Sequence, residues 1–118
     1  MKPKYSLYKN FFYAIDGVKE LSKEVSFRIE MFGFIAATVV LFILSCPLWA
    51  KLFMFASLFL PIFAEAFNTA IEKAVDMAMP EYHILAKHAK DIAAFGVLVS
   101  ILMTSFIWLA FITYFFKG

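Results

Sequence analysis

Residues 31–50 read MFGFIAATVVLFILSCPLWA and contain no charged side chain. A helix rises about 1.5 Å per residue, so this stretch covers about 30 Å, the thickness of a bilayer's hydrocarbon core. A second uncharged run, residues 92–116, is long enough to cross with some tilt. Of the 118 residues, 64% are apolar and 16 are Phe, too many for a soluble domain this small. The sequence predicts an all-α membrane protein.

Between these runs, residues 52–64 are uncharged but too short to cross a membrane alone. Helical character is expected to continue through the acidic residues that follow. We therefore predict one domain, residues 1–118, with spans at 29–50, 52–79 (including a cytoplasmic extension) and 88–116. Residues 5–25 place apolar side chains at helical spacing between lysines, which predicts an amphipathic helix on the membrane surface. A cytoplasmic extension of the first span is the alternative for this segment.

The basic residues are distributed unevenly along the chain. Six of the eleven precede the first span, namely Lys2, Lys4, Lys9, Lys19, Lys23 and Arg28. Only Lys51 lies between the first two predicted spans. The positive-inside rule therefore predicts a cytoplasmic N-terminus and a cytoplasmic second loop. A net charge of +2 argues against a nucleic-acid binder, and the single cysteine excludes an intrachain disulfide.

The middle span carries an acidic strip, which we define as Glu65, Asn68, Glu72 and Asp76. At about 100° per residue, these four side chains fall within a strip roughly 80° wide on one helix face. A charge facing lipid would cost about 2.5 kcal/mol or more, so the strip must face protein or water. Clustered carboxylates also repel one another, so they must either hold protons or bind a cation. A divalent metal with a bound triphosphate, a proton or ion pathway, and simple interhelical hydrogen bonding all remain open.

The segment after the middle span adds basic side chains. Pro80 ends the helix, and Lys87 and Lys90 share a helical face that could hold phosphates. The chain has four glycines and no glycine-rich phosphate loop. A nucleotide would therefore be held by metal, lysine and helix ends.

Three blocks resemble the bacterial integral-membrane diacylglycerol kinases. Residues 65–76, EAFNTAIEKAVD, match the family pattern E-x-x-N-[ST]-A-I-E-x-x-[VI]-D at every signature position. Residues 24–30, EVSFRIE, resemble its E-x-x-F-R-x-E segment. Residues 81–83, EYH, and 86–91, AKHAKD, resemble its third block. The blocks occur in order with matching spacing, and the resemblance covers nearly the whole chain.

The resemblance implies a homotrimer of three spans and a surface helix per subunit, in the bacterial inner membrane. It implies direct transfer of the γ-phosphoryl of Mg-ATP to a lipid hydroxyl. By position, Glu65 corresponds to the catalytic base, with Asn68 beside it at the substrate, and Glu24 and Glu72 correspond to the Mg²⁺ ligands. The ATP-binding residues implied are Glu24, Glu72, Asp76, Glu81, His83, Lys90 and Asp91.

The expected acceptor is 1,2-diacylglycerol, and the product phosphatidate would return to phospholipid metabolism. Residues 86–94 are also similar to the undecaprenol kinases of the same family, so undecaprenol is the alternative acceptor. The EYH triplet at 81–83 favours diacylglycerol. Two readings from other classes are a small proton or ion conductor and a non-catalytic assembly subunit.

Overall fold

The computed structural model describes residue 4 and residues 6–117. Five helices account for nearly all of these residues, and the described part contains no strand. They are α1 (Leu7–Leu21), α2 (Val25–Ile43), α3 (Leu48–Ser57), α4 (Phe59–Ala78) and α5 (Ile84–Phe116). Residue 5, the first of the predicted surface helix, lies outside the described residues. The predicted all-α class is confirmed.

Three segments are long and apolar enough to cross a bilayer: Val25–Ile43, Leu48–Ala78 and Ile84–Phe116. The second combines α3 and α4 into one interrupted span of 31 residues. Large apolar side chains lie exposed along all three, as expected where lipid is the solvent. The chain is therefore a membrane protein with three spans.

The first membrane helix is shorter than the span predicted at 29–50. It ends at Ile43, and residues from Leu48 onward already belong to α3. Pro47 explains the difference, because its ring fixes φ and disfavours helical backbone in the preceding residue. Its carbonyl accepts hydrogen bonds from the N–H groups of Ala50 and Lys51, both at 3.1 Å. Pro47 thus separates the two helices, and α3 starts directly after it.

The surface helix α1 begins at a serine cap, where Ser6 Oγ accepts a hydrogen bond from the Lys9 N–H at 3.3 Å. None of its residues is buried, and Leu7 and Tyr8 are each 74% exposed. Arg28 braces the turn between α1 and α2 by donating to the carbonyls of Ser22 and Lys23. This turn holds Glu24 as the first residue before α2.

The most extensive helix packing joins α4 to α5. With 33 residues, α5 is about 50 Å long, so it extends beyond the hydrocarbon core. Its N-terminal turns lie beside the end of α4, where Lys90 pairs with Asp76 of the acidic strip. The fold therefore joins a buried carboxylate to a solvated cavity along one face of α4.

Candidate functional site

Glu65 lies inside the protein at the membrane end of the acidic strip. It is only 3% exposed. Ser26 on α2 donates a hydrogen bond from Oγ to Glu65 Oε1 at 2.6 Å, and Thr69 on α4 donates to the same oxygen at 3.3 Å. Two hydroxyls therefore orient the carboxylate through one oxygen. Neither hydroxyl contacts the other oxygen, Glu65 Oε2.

A second carboxyl group, that of Glu30, lies beside Glu65. Its Oε1 is buried and has no hydrogen-bond partner among the described residues. Two adjacent carboxylates repel each other when both are ionised, so the pair requires a proton or a cation. Sequence reasoning did not assign a role to Glu30 or Ser26. The available signal was the position of Glu30, an acid at the very edge of an uncharged run.

Asn68 and Glu72 are paired one helical turn further along α4. Asn68 Nδ2 donates to Glu72 Oε1 at 2.8 Å, which fixes the orientation of both side chains. Asn68 Oδ1 is buried and has no partner within the described residues. Buried polar atoms in native proteins are normally satisfied, so this oxygen is available for a cation or a hydroxyl donor. The predicted strip therefore presents an acceptor oxygen next to a carboxylate.

Glu24, the other predicted metal ligand, is bound by a lysine. Lys73 Nζ lies 3.6 Å from Glu24 Oε1, and both side chains are partly exposed. The described residues contain no group of three or more His, Cys, Asp or Glu side chains placed to hold a metal. Mg²⁺ commonly takes only one or two carboxylates and completes its shell with phosphates and water. Joint binding by Glu24 and Glu72 therefore stays a prediction.

At the Asp76 end of the strip, a cavity of about 350 Å³ lies between the end of α4, the second loop and the start of α5. It brings together five of the seven residues expected at ATP. These are Asp76, Glu81, His83, Lys90 and Asp91. Glu24 and Glu72, the other two, do not line this cavity. The acidic strip runs from buried Glu65 to Asp76 in the cavity, a distance of about 16 Å along the helix axis.

Two ion pairs organise the cavity. Lys90 pairs with Asp76 across α5 and α4, and Lys87 Nζ lies 2.6 Å from Asp91 Oδ2 on the same helix face. All four side chains are more than one third exposed, so the pairs add little to stability. Both lysines can therefore exchange a carboxylate partner for a phosphate at small cost.

His83 has a structural task as well as a place in the cavity. It precedes α5, and its Nδ1 accepts a hydrogen bond from the Leu85 N–H at 3.1 Å. This bond caps the helix and turns the rest of the imidazole toward the cavity. The cap thereby fixes the start of α5, whose first two turns carry Lys87 and Lys90.

Comparison with known proteins identifies the family. The model of the prokaryotic diacylglycerol kinase family matches residues 12–112. A diacylglycerol kinase from Sinorhizobium is 40% identical over 87 residues, which cover 73% of this chain and 63% of the relative. One from Helicobacter pylori strain J99 is 35% identical over 107 residues, with 86% and 80% covered.

A third relative, the diacylglycerol kinase of Escherichia coli K12, is 32% identical over 85 residues. The match covers 72% of this chain and 70% of that protein. The family match extends from α1 almost to the end of α5 and so includes both the buried carboxylate and the cavity. The chain belongs to the prokaryotic diacylglycerol kinase family and is a lipid kinase of that family.

Proposed function

We propose that this kinase transfers the γ-phosphoryl group of ATP to the hydroxyl of 1,2-diacylglycerol and releases ADP and phosphatidate. The observation that carries the proposal is the layout of α4. A carboxylate that is 3% exposed lies within the apolar segment Leu48–Ala78, and α4 ends at an open cavity with two lysines. This layout suits an acceptor that stays in the bilayer and a donor that arrives from water.

Glu65 is the proposed general base. A lipid alcohol is a weak nucleophile, and a positioned carboxylate can accept its proton as the bond to phosphorus forms. Ser26 and Thr69 hold Oε1, so Oε2 would receive the proton. The hydroxyl oxygen bonds to the γ-phosphorus, the bond between that phosphorus and the ADP oxygen breaks, and ADP leaves. Asn68 lies one helical turn after Glu65 and would help to orient the lipid hydroxyl.

An apolar groove supports entry of the lipid from the membrane. It has a volume of about 370 Å³ and lies between the surface helix α1 and α4. Small residues form much of its walls, including Ala14 and Gly17 on one side and Ala66 and Ala70 on the other, and the lining also contains Glu20 and Lys73. Thr69 lines the groove and also donates to Glu65. An acyl chain in this groove would place its headgroup next to the proposed base.

The cytoplasmic cavity is the proposed nucleotide site. Lys90 would bind phosphate oxygens, and Asp76 and Asp91 keep the lysines of the cavity oriented before ATP arrives. Glu81 and His83, which come from the second loop, would lie nearer the adenosine. Phosphoryl transfer depends mainly on positioning and on neutralising the phosphate oxygens, which these residues can provide.

Glu24 and Glu72 would hold Mg²⁺. Both offer carboxylate oxygens, and the unpartnered Asn68 Oδ1 beside Glu72 adds a third hard oxygen donor, so the residues present fit this cation. When bound, Mg²⁺ neutralises charge on the phosphate oxygens. Lys73 would then have to give up its ion pair with Glu24.

We also propose that the chain works as a homotrimer in the bacterial inner membrane, with its N-terminus and active site in the cytoplasm. The excess of basic residues before the first span supports this orientation. Exposed side chains along all three spans leave ample surface for other subunits. Crosslinking of the purified protein in detergent would show a trimer as the largest specific species.

The decisive experiment measures transfer of labelled phosphate from γ-labelled ATP in mixed micelles with Mg²⁺, with 1,2-diacylglycerol and undecaprenol offered separately. Labelled phosphatidate that disappears in Glu65→Gln is the expected result. Labelled undecaprenyl phosphate alone would keep the chemistry and replace the acceptor. Transfer to neither lipid by folded protein would overturn the proposal and favour ion or proton conduction by the acidic strip.

A further inference from the structure

The middle span is interrupted, and the interruption frees two backbone carbonyls. Leu58 separates α3 from α4, and its N–H bonds to the carbonyl of Phe55 at 3.1 Å rather than to that of Met54. Pro61 has no N–H to donate to the carbonyl of Ser57, four residues earlier. The Met54 and Ser57 carbonyls therefore lose their helical donors. In a bilayer no water replaces them, so each needs a protein donor.

Helix α5 supplies a donor to each of these carbonyls. Thr104 Oγ1 lies 2.9 Å from the Ser57 carbonyl oxygen, and Trp108 Nε1 lies 3.1 Å from that of Met54. Ser57 Oγ donates to the Met54 carbonyl at 2.6 Å and accepts from Trp108 Nε1 at 3.1 Å. Met54, Ser57 and Thr104 are all buried. We call Thr104, Trp108 and the two carbonyls the α5 clamp.

We propose that Thr104 and Trp108 are positioning residues for Glu65, acting through the interruption in the middle span. This inference rests on the proposed role of Glu65 as the base. Glu65 lies one helical turn after Pro61, so the direction in which α4 leaves the interruption determines where Glu65 meets α2. The bond to Ser26 is 2.6 Å long, and a displacement of about 1 Å would break it and misplace the base.

Thr104 also has a local acceptor, the Ser100 carbonyl at 3.0 Å on its own helix. A threonine hydroxyl has one proton, which the two acceptors share. Bonding to the preceding turn is common for threonine in helices, whereas the Ser57 carbonyl has been deprived of its usual donor. Substitutions can distinguish the contributions of these two hydrogen bonds, because only the Ser57 carbonyl lacks a helical donor as a result of Pro61.

The test compares Thr104→Val, Thr104→Ser and the double variant Pro61→Ala/Thr104→Val in the lipid phosphorylation assay. Thr38→Val is the matched control, since Thr38 Oγ1 bonds only to the Phe34 carbonyl of its own helix, at 2.8 Å. One interhelical hydrogen bond in a membrane predicts a loss of about fivefold in kcat for Thr104→Val, with KM for ATP unchanged. Thr104→Ser and the control should keep the wild-type kcat.

The double variant gives the most specific test, because it predicts a rescue of activity. Alanine at 61 restores an N–H that can reach the Ser57 carbonyl, so the valine should become harmless and most of the lost kcat should return. Unchanged kcat in Thr104→Val, or no recovery in the double variant, would overturn the inference. So would equal losses in Thr104→Val and Thr38→Val.

A readout independent of activity keeps this inference separate from the proposed function. Trp108 donates to two oxygens of α3, whereas Trp49 is 61% exposed. In detergent micelles, the indole proton of Trp108 should exchange with solvent at least about tenfold more slowly than that of Trp49. Equal exchange rates would overturn the clamp itself. Slow exchange in a protein without lipid kinase activity would support the clamp and refute only the proposed function.

Discussion

The two halves of the middle span differ in whether the buried polar atoms in and around them have hydrogen-bond partners. At the interruption between α3 and α4, the Met54 and Ser57 carbonyls both have donors from neighbouring side chains. Around α4, two buried oxygens, Glu30 Oε1 and Asn68 Oδ1, have none among the described residues. Both halves belong to one membrane-spanning segment and pack on α5. Polar groups that only support the fold are satisfied, whereas those of the proposed site are left open for a ligand.

This contrast predicts where substitutions act. Changes in the α3 half should affect activity only through the direction of α4. Changes in the α4 half should remove chemical steps or ligand contacts and alter the fold little. The Thr104 variants described above test the α3 half, and four substitutions test the α4 half and its neighbours, from the largest expected effect to the smallest.

Glu65→Gln should have the largest effect. The amide keeps the size of the side chain but cannot accept the proton of the lipid hydroxyl. We expect kcat to fall by about 10³-fold, within the usual range for removing a general base, while KM for ATP changes little. Steady-state kinetics in mixed micelles measure both constants. Asp16→Asn, an equivalent change on the exposed surface helix, serves as the control. Equal changes in kcat and KM would contradict the assigned role.

Glu72→Gln should act on the metal. It keeps a hydrogen-bonding partner for Asn68 but removes the charge that attracts Mg²⁺. We expect the Mg²⁺ concentration for half-maximal activity to rise roughly 30-fold, as for the loss of one charged ligand to a hard cation. Titration of activity with Mg²⁺ at constant ATP measures the shift. An unchanged titration would mean that the metal is held elsewhere.

Lys90→Ala should weaken the binding of ATP. Its pair with Asp76 is partly exposed and supports the fold little, so thermal unfolding should be nearly unchanged. Loss of one phosphate contact should raise KM for ATP about tenfold. Lys51→Ala, at the opposite end of the middle span, is the control. If Lys90→Ala changed only the dependence on lipid, the lysine would belong to the acceptor side of the site.

The sequence predicted much of this architecture because its strongest signals are local. Uncharged runs predict membrane spans without any knowledge of packing, and helical spacing alone puts Glu65, Asn68, Glu72 and Asp76 on one face. The contacts of Ser26 and Glu30 with Glu65 were not predictable in this way. They depend on how α2 is rotated against α4, and residues about 40 positions apart carry no periodic signal of that rotation.

At the interruption of the middle span, too, the local feature is predictable from the sequence and the distant contacts are not. Pro61 indicates that a carbonyl is freed four residues earlier, at Ser57. Nothing local indicates that Thr104 and Trp108, about 50 residues away, supply the donors. Glu24, proposed to bind the metal, is a further example, since the family pattern includes Glu24 but not the lysine that lies 3.6 Å from it.

Ser26→Ala should have the smallest effect of the four, and it tests how firmly the base must be held. The substitution removes the 2.6 Å hydrogen bond to Glu65 Oε1, while Thr69 still donates to the same oxygen at 3.3 Å. Because one of two orienting hydroxyls remains, we expect kcat to fall only about threefold, with KM for ATP unchanged. Adding Thr69→Val should then cost more than the two single losses multiplied, since the carboxylate would have no orienting donor left. Multiplicative losses would mean that the two hydroxyls act independently and that burial between α2 and α4 alone holds Glu65 in place.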